Sequence, residues 1–506
     1  MRTTTNKRDL LRWPVLRWIG QHRYGRLYLQ IPFLLAALLL IYDGFTGPSN
    51  AARNLSTVGA WVHYRGIVVL VLLLAGNIIC MGCPFTLPRT LAKKLSLRGR
   101  RWPRFLRNKW LAVASLFLLL FLYEYLDMWA SPALTAWLVV AYFVASFVLE
   151  AFFKESAFCK YVCPIGTFNF AFSTASPTQI EVKDPQVCKT CVGKECINGS
   201  YAAASVVRVD QIPINGGAGG MAEKRIEHNR RGTLGCGTEL FAPQIKSNMD
   251  CTLCLDCVRA CPHDNIGWMR RTPGRELGQR GAWPARWDIS FLAIFVGFIG
   301  IVNAFGMIPP VYDLLQSIAS FLGMSAERWS PALIEFIALG AIFVLGGLLI
   351  PAVLTLGAGW MTRTLTGRRH SLRHTVAHFA PAFIPLALGI WTAHYMFHFL
   401  IGIWTVVPIT HNFLLEHGIT AFGTRPDWSL GGLPVDSPLV GLVQTVALMG
   451  GFLWSMILAN RISTREYGRD AVPALFAWAL ILLGMALVSL WIFSEPMEMR
   501  GTILFD

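Results

Sequence analysis

The chain has 506 residues, of which 54% are hydrophobic, and it carries a formal net charge of +16. A mean hydropathy of +0.48 and a content of 18 Trp exceed what water-soluble domains show, so the composition excludes an ordinary soluble enzyme. The positive charge lies in short loops beside apolar runs, where it orients a membrane protein and meets anionic lipid head groups, so we expect no nucleic-acid partner.

Apolar runs long enough to cross a bilayer predict a polytopic α-helical membrane protein with about nine spans. The runs cover residues 27–41, 66–79, 111–125, 133–153, 289–308, 332–356, 379–407, 439–458 and 473–492. They divide the chain into a membrane domain at 1–172, a cysteine-rich domain at 173–287 and a second membrane domain at 288–506.

Lys and Arg in the loops predict the orientation of these spans. The N-terminus and segments 89–109, 363–373 and 461–469 are strongly basic, whereas the alternate loops are not. The positive-inside rule therefore predicts that the N-terminus and every cysteine face the cytoplasm of a bacterial inner membrane, and that the C-terminus faces the periplasm. Thiols on the cytoplasmic side stay reduced, which leaves metal or redox chemistry for them.

Two split pairs of cysteines follow spans of the first membrane domain. Cys80 and Cys83 occur in CMGCP, Cys159 and Cys163 in CKYVCP, and each second cysteine precedes a proline. This repetition indicates an internal duplication whose pairs converge at the cytoplasmic rim, where four thiolates would form a third metal centre. Two alternatives remain open: cysteines that pack as small hydrophobic residues, and thiol/disulfide couples.

The cysteine-rich domain contains two ferredoxin-type runs. CTLCLDCVRACP has the unbroken spacing that binds a 4Fe–4S cluster, and CKTCVGKEC is a stretched version whose fourth ligand would be Cys236. In two-cluster ferredoxins the last cysteine of a run serves the other cluster, which predicts two ligand sets. These sets are Cys188, Cys191, Cys196 with Cys261, and Cys251, Cys254, Cys257 with Cys236. The unexchanged pairing, and zinc at the weaker run, are the alternatives.

The predicted fold of this segment is a small α+β ferredoxin-like domain with two 4Fe–4S clusters, inserted between the membrane domains. The Gly-rich stretch between Cys196 and Cys236 has few apolar residues and is predicted to be a loop.

Histidine is the main signal of the second membrane domain. His370, His374 and His378 recur at intervals of four, and His394 and His398 repeat that interval within WTAHYMFHFL. Residues four apart share a helix face, and a polar face inside a membrane is a candidate site. The candidates are a quinone pocket, haem b or copper; the alternative is hydrogen bonding to neighbouring helices. The quinone pocket would use Trp391, His394, Tyr395 and His398.

Together, the Cys-Pro pairs and the ferredoxin-type run ending at Pro262 resemble the membrane-bound ferredoxin proteins of the NapH and NosR kind, over roughly residues 60–285. The oxidase accessory protein CcoG is a looser match. The resemblance implies a polytopic protein that passes reducing equivalents, often from quinol, to a respiratory reductase or a metal-site maturation step.

The function that we expect is therefore membrane-bound iron–sulfur electron transfer, as the oxidoreductase component of a quinol dehydrogenase-like system. Its partners would be the quinone pool or a cytoplasmic donor on one side and a respiratory or metalloenzyme complex on the other. The alternatives are a maturation factor that reduces or delivers a metal, and an anchor subunit of a larger redox complex.

Overall fold

The computed structural model of the chain describes residues 8–22, 24–88, 100–153, 156–199, 233–367 and 369–497. Residues 89–99 of the basic loop, residues 200–232 of the predicted Gly-rich loop and residues 498–506 of the tail lie outside these ranges.

The first membrane domain begins with the short helix Pro14–Gln21 and contains four apolar helices. These are Gly25–Thr46, Leu55–Leu74, Trp110–Tyr125 and Pro132–Phe152. Side-chain caps fix where two of them start: Asn54 Oδ1 accepts from Ser56 N at 2.8 Å, and Ser131 Oγ accepts from Leu134 N at 3.3 Å.

Two stretches of this domain are wound as π-helix, Val58–Tyr64 within the second apolar helix and Phe158–Val162 after the fourth. Such wide turns are rare and occur mostly at functional sites. Here they lie directly before Arg65 and around Cys159, respectively.

The middle segment holds a two-stranded antiparallel sheet, β1 (Thr178–Val182) and β2 (Ile266–Arg270), in which Ile180 pairs with Trp268. The short helices Pro185–Thr190, Glu195–Asn198 and Asp256–Ala260 carry cysteines beside it. Within the described residues no ferredoxin-like domain is shown, because the middle segment holds only this two-stranded sheet among short helices. The N-terminal segment adds to this sheet, because Asp9 pairs with Met269 in an antiparallel bridge and Arg270 N donates to Arg8 O at 2.8 Å.

The second membrane domain is built around two strongly buried segments, Trp287–Phe305 and Leu372–Ile401. Around them lie helices on which many large apolar side chains are exposed, as expected for a lipid-facing surface. These outer helices are Pro310–Phe321, Pro331–Val344, Ile350–Leu365, Val406–Glu416, Pro438–Tyr467 and Ala471–Ser494.

Seven helical segments of the described chain are long and apolar enough to cross a membrane. The last, Pro438–Ser494, contains two helices joined by the turn Gly468–Asp470, and Trp110–Tyr125 is apolar but has only 16 residues. Each of the predicted apolar runs overlaps one of these helices. The chain is thus a polytopic helical protein with the character of a membrane-embedded one.

Candidate metal centres

The first cysteine group combines residues from both ferredoxin-type runs. Cys188, Cys191, Cys196 and Cys261 line one small cavity of about 20 Å³. Burial raises the pKa of the Cys196 thiol to about 11, and among the neighbouring thiolates Cys261 raises it most. Cys261 therefore lies with the first run and not with the three cysteines that precede it.

Asn265 holds this first group together, and sequence reasoning missed it. Its Nδ2 donates to Cys188 Sγ at 3.2 Å, and its backbone N donates to Cys261 Sγ at 3.4 Å. Two hydrogen bonds to the backbone of Asp184 position the side chain. Asn265 Nδ2 donates to Asp184 O at 2.6 Å, and Asp184 N donates to Asn265 Oδ1 at 2.8 Å. Asn265 is 5% exposed, so its donors are directed at sulfur and backbone and little at water.

The second group consists of Cys236, Cys251, Cys254 and Cys257. Burial is the largest cause of the raised pKa of the Cys251 and Cys257 thiols. Among neighbouring thiolates, Cys236 raises both pKa values most. Cys236 Sγ accepts from Leu240 N at 3.3 Å. The four thiols thus stand close enough to influence one another electrostatically.

The backbone of the second run is folded tightly around Cys254. Leu253 and Leu255, on either side of it, have φ of 52° and 59°, in the left-handed region that non-glycine residues seldom adopt. This conformation turns the N–H groups of Leu253 and Asp256 toward Cys251 and Cys254, where they act as hydrogen-bond donors. Strain of this kind persists where the surroundings enforce it, typically at functional sites.

The third group is formed by the two Cys-Pro pairs. Cys80, Cys83, Cys159 and Cys163 line one cavity of about 30 Å³. Burial raises the pKa of the Cys83 thiol to about 12. Hydrogen-bond donors reach this group as well, because Gly166 N lies 3.2 Å from Cys163 Sγ and Asn169 Nδ2 lies 3.3 Å from Cys80 Sγ.

The three groups follow one another in space. Cys257 and Cys261, which lie on the helix Asp256–Ala260 and directly after it, belong to the second and first groups. Thr252, next to Cys251, lines the cavity of the third group. Asn77 Nδ2 fixes this contact by donating to Cys251 O at 3.0 Å.

A larger cavity of about 430 Å³ begins where the third group ends. Both cavities share Tyr64, Ile79, Cys83, Phe85 and Ile165 as walls. The lining of the larger cavity is mostly apolar or aromatic, and Arg65, His63, Tyr64 and Thr135 are polar residues in it.

The residues predicted to form a quinone pocket are separated by the structure. Trp391 and Tyr395 line the large cavity, and Trp391 Nε1 donates to Val296 O at 2.7 Å. His394 and His398 do not line it: His394 Nε2 lies 2.9 Å from Met307 Sδ, and His398 packs against Phe397. Polar groups of the cavity come instead from Tyr64 and Arg65 of the second span, where the spacing of residues in the sequence does not indicate a site.

The other histidines lie in separate environments. His63 lines the large cavity, and its ring nitrogens lie 3.2 and 3.3 Å from the carbonyl oxygens of Val58 and Ile403. His411 Nε2 lies 3.1 Å from Gly423 O. The rings of His370, His374 and His378 contact one another in tilted or T-shaped pairs, with centroids 4.1 to 5.6 Å apart.

In the described residues, no group of three or more His, Cys, Asp and Glu side chains is arranged to hold a single metal ion. A cubane cluster is larger than one ion, so its four thiolates stand around a cavity and do not converge on a point. Four cysteines around a cavity, with N–H donors directed at their sulfur atoms, fit such a cluster.

Comparisons with known proteins identify no family. No protein-family model, curated protein or solved structure matches this chain. Its function therefore has to be argued from the geometry of its own residues.

Proposed function

We propose that the chain is a membrane-bound iron–sulfur protein that transfers electrons between a partner on its cysteine-rich side and a quinone pool in the membrane. The observation that carries the proposal is the grouping of all twelve cysteines into three sets of four, which follow one another toward a membrane cavity. A 4Fe–4S cluster is held by four cysteine thiolates.

Each cysteine group would hold one cluster. The ligands would be Cys188, Cys191, Cys196 and Cys261; Cys236, Cys251, Cys254 and Cys257; and Cys80, Cys83, Cys159 and Cys163. Clusters bound there supply one-electron transfer. The protein's own contribution is to keep the thiolates buried and to donate hydrogen bonds to sulfur, both of which set reduction potentials.

The proposal includes the finer architecture that the sequence predicts. It treats the middle segment as a ferredoxin-like domain, counts nine membrane spans, and places the chain with membrane-bound ferredoxin proteins of the NapH and NosR kind. Basic loops support a bacterial inner membrane location with the cysteines on the cytoplasmic side.

A partner would dock where the first cysteine group reaches the surface. Lys189 and Lys194 flank Cys191 and are exposed, and Val192 is 66% exposed. A redox protein with an acidic surface suits this patch, because complementary charge speeds encounter.

The proposal is tested by metal analysis of the anaerobically purified chain. Iron, acid-labile sulfide, copper, zinc and haem are measured per chain, with low-temperature EPR after stepwise reduction. We expect about twelve iron and about twelve sulfide, four of each for every cysteine group.

Serine variants assign the metal to its groups. C80S/C163S should lower iron by about four per chain and leave the EPR signals of the other groups, whereas H411Q, a matched change outside the groups, should leave iron intact. Four or fewer iron atoms, with copper or zinc bound by the cysteines, would reject electron transfer and support a metal-maturation factor instead.

A further inference from the structure

The large membrane cavity contains a buried cation. Arg65 lies near the middle of the span Leu55–Leu74 and is 7% exposed. A charge at this depth is costly, and such residues occur where they face a partner, a ligand or a pathway. The charge of Arg65 therefore has to be stabilised by its surroundings or by a ligand.

Aromatic rings hold the Arg65 guanidinium in place. Its central carbon lies 4.2 Å from the ring centroid of Tyr123, 4.5 Å from that of Trp61 and 5.1 Å from that of Tyr395. Trp61 is itself fixed, because its Nε1 donates to Thr135 Oγ1 at 2.9 Å. Cation–π contacts stabilise the charge but leave the N–H groups, which lie in the guanidinium plane, without acceptors.

No carboxylate neutralises this cation within the part of the chain that the structure describes, where Arg65 has neither an ion pair nor a hydrogen bond from its side chain. Glu124, which follows Tyr123 in the sequence, accepts from Asn303 Nδ2 at 2.8 Å. The guanidinium thus presents N–H donors to a cavity whose lining is mostly apolar or aromatic. A suitable ligand carries an oxygen acceptor on a lipophilic body.

The cavity is open toward lipid. Phe33, Leu39 and Ile67 line it and are 42%, 38% and 42% exposed on apolar helices. A volume of about 430 Å³ lies within the range of small-molecule pockets and suits a head group with the first part of an apolar tail.

The position of the cavity beside the third cysteine group favours a redox-active lipophilic ligand. Tyr64 and Cys83 form a common wall with the third cysteine group, so a bound head group would lie beside a redox site. We propose that this cavity is a quinone-binding site in which Arg65 donates hydrogen bonds to a quinone carbonyl oxygen. The redox role of the site rests on the proposed function, whereas the binding itself does not.

The site differs from the one that histidine spacing predicts. Arg65 and Tyr64 replace His394 and His398 as the polar groups, and the head group lies next to Cys83. No intervening carrier is then needed between the cysteines and the membrane.

Binding of decylubiquinone to the anaerobically purified protein in detergent tests the proposal. Trp61 and Trp391 line the cavity, so quenching of tryptophan fluorescence reports occupancy. We expect saturable binding, weakened at least about tenfold by R65Q because a charged donor to the carbonyl is lost. R65K should bind with intermediate affinity, since a lysine keeps the charge but not the planar donor geometry.

Arg53 provides a matched control, because it also lies over an aromatic ring, 4.8 Å from the Trp428 centroid, and it does not line the cavity. R53Q should bind decylubiquinone as the unmodified chain does. If R65Q fails to fold, A60F decides, because Ala60 lines the cavity and a larger side chain there should block binding. Unchanged affinity in R65Q or in well-folded A60F would overturn the proposal.

Two further outcomes are informative. A phospholipid retained through Arg65, seen by native mass spectrometry and not displaced by decylubiquinone, would make the cavity a lipid site and overturn the proposal. Iron measured on the same samples separates the two hypotheses. Quinone binding without iron would reject electron transfer and retain this site; about twelve iron without saturable quinone binding would do the reverse.

Discussion

Asn265 shows how one side chain couples two distant cysteine runs. It donates to Cys188 Sγ and Cys261 Sγ while its amide is fixed by Asp184. Hydrogen bonds to sulfur stabilise thiolate ligands and influence cluster potentials. Retention of the first cluster should therefore depend on this residue.

We expect N265A to lower iron by up to about four atoms per chain and to shift the EPR signal of one cluster, because the hydrogen bond donated to Cys188 Sγ is lost. Asn198 is a matched control in the same segment, since it is exposed and its Nδ2 donates only to Gly193 O. Wild-type iron content and spectra in N265A would contradict this role.

A buried ion pair supports the second cysteine group from beneath. Arg271 and Glu276 are 0% and 1% exposed, and Glu276 also accepts from Asn248 N at 2.8 Å. Burial raises the pKa of the Glu276 carboxyl, and the charge of Arg271 opposes that effect. Asn248 O in turn accepts from Cys251 N at 2.9 Å, so the pair fixes the start of the cysteine run.

We expect E276Q to destabilise the protein by roughly 3–5 kcal/mol, because Arg271 is left as an uncompensated buried charge. The half-exposed pair of Arg275 and Glu181 is the comparison, and E181Q should cost no more than about 1 kcal/mol. Thermal unfolding of the two variants in detergent gives the answer, and equal melting temperatures would refute the prediction.

At the scale of single residues, sequence spacing predicts candidate ligands but not the residues that surround them. Cysteines at these fixed intervals are typical of iron–sulfur ligands, so the candidate ligands could be named from the sequence. Arg65 and Asn265 belong to no motif. Their roles depend on contacts with Tyr395 and Cys188, which lie far away in sequence.

At the scale of secondary-structure elements, the proposed exchange of ligands between the two cysteine runs predicts a pattern in double variants. Substitutions within one group remove the same cluster, so their effects do not add, whereas substitutions in different groups are independent.

We therefore expect C188S and C261S each to remove about four iron atoms, and the double variant C188S/C261S to remove no more than either alone. C188S/C257S should remove about eight, because Cys257 belongs to the second group. Iron per chain and EPR spin counts distinguish these outcomes, and an additive loss in C188S/C261S would favour the unexchanged pairing.

The elements themselves were predictable to different degrees. Apolar runs predict helices because hydrophobic length alone decides them, and every predicted run overlaps a helix. The π-helical turn Val58–Tyr64 was not foreseen, since it depends on packing and not on composition. The ferredoxin-like fold expected for the middle segment is reduced to β1 and β2, to which the N-terminal segment around Asp9 adds.

For the whole molecule, the basic loops make the orientation testable. Alkaline phosphatase is active only outside the cytoplasm, so a fusion at the C-terminus should be active and one after Gln279 inactive, with green fluorescent protein giving the opposite pattern. Activity at both positions, or at neither, would contradict an odd number of spans with a cytoplasmic cysteine domain.

The residues around the first and third cysteine groups differ in exposure, which has a consequence for oxidation of the protein in air. Around the first group, Lys189, Thr190 and Val192 are exposed, whereas Phe158 and Phe170 beside the third are 3% and 1% exposed. Oxidants arriving from water reach exposed sulfur first. Oxidation would therefore begin at the cluster proposed for the first group. The clusters proposed for the other two groups would stay intact but would no longer receive electrons from the docked partner. A bleached preparation would retain most of its iron and still be inactive.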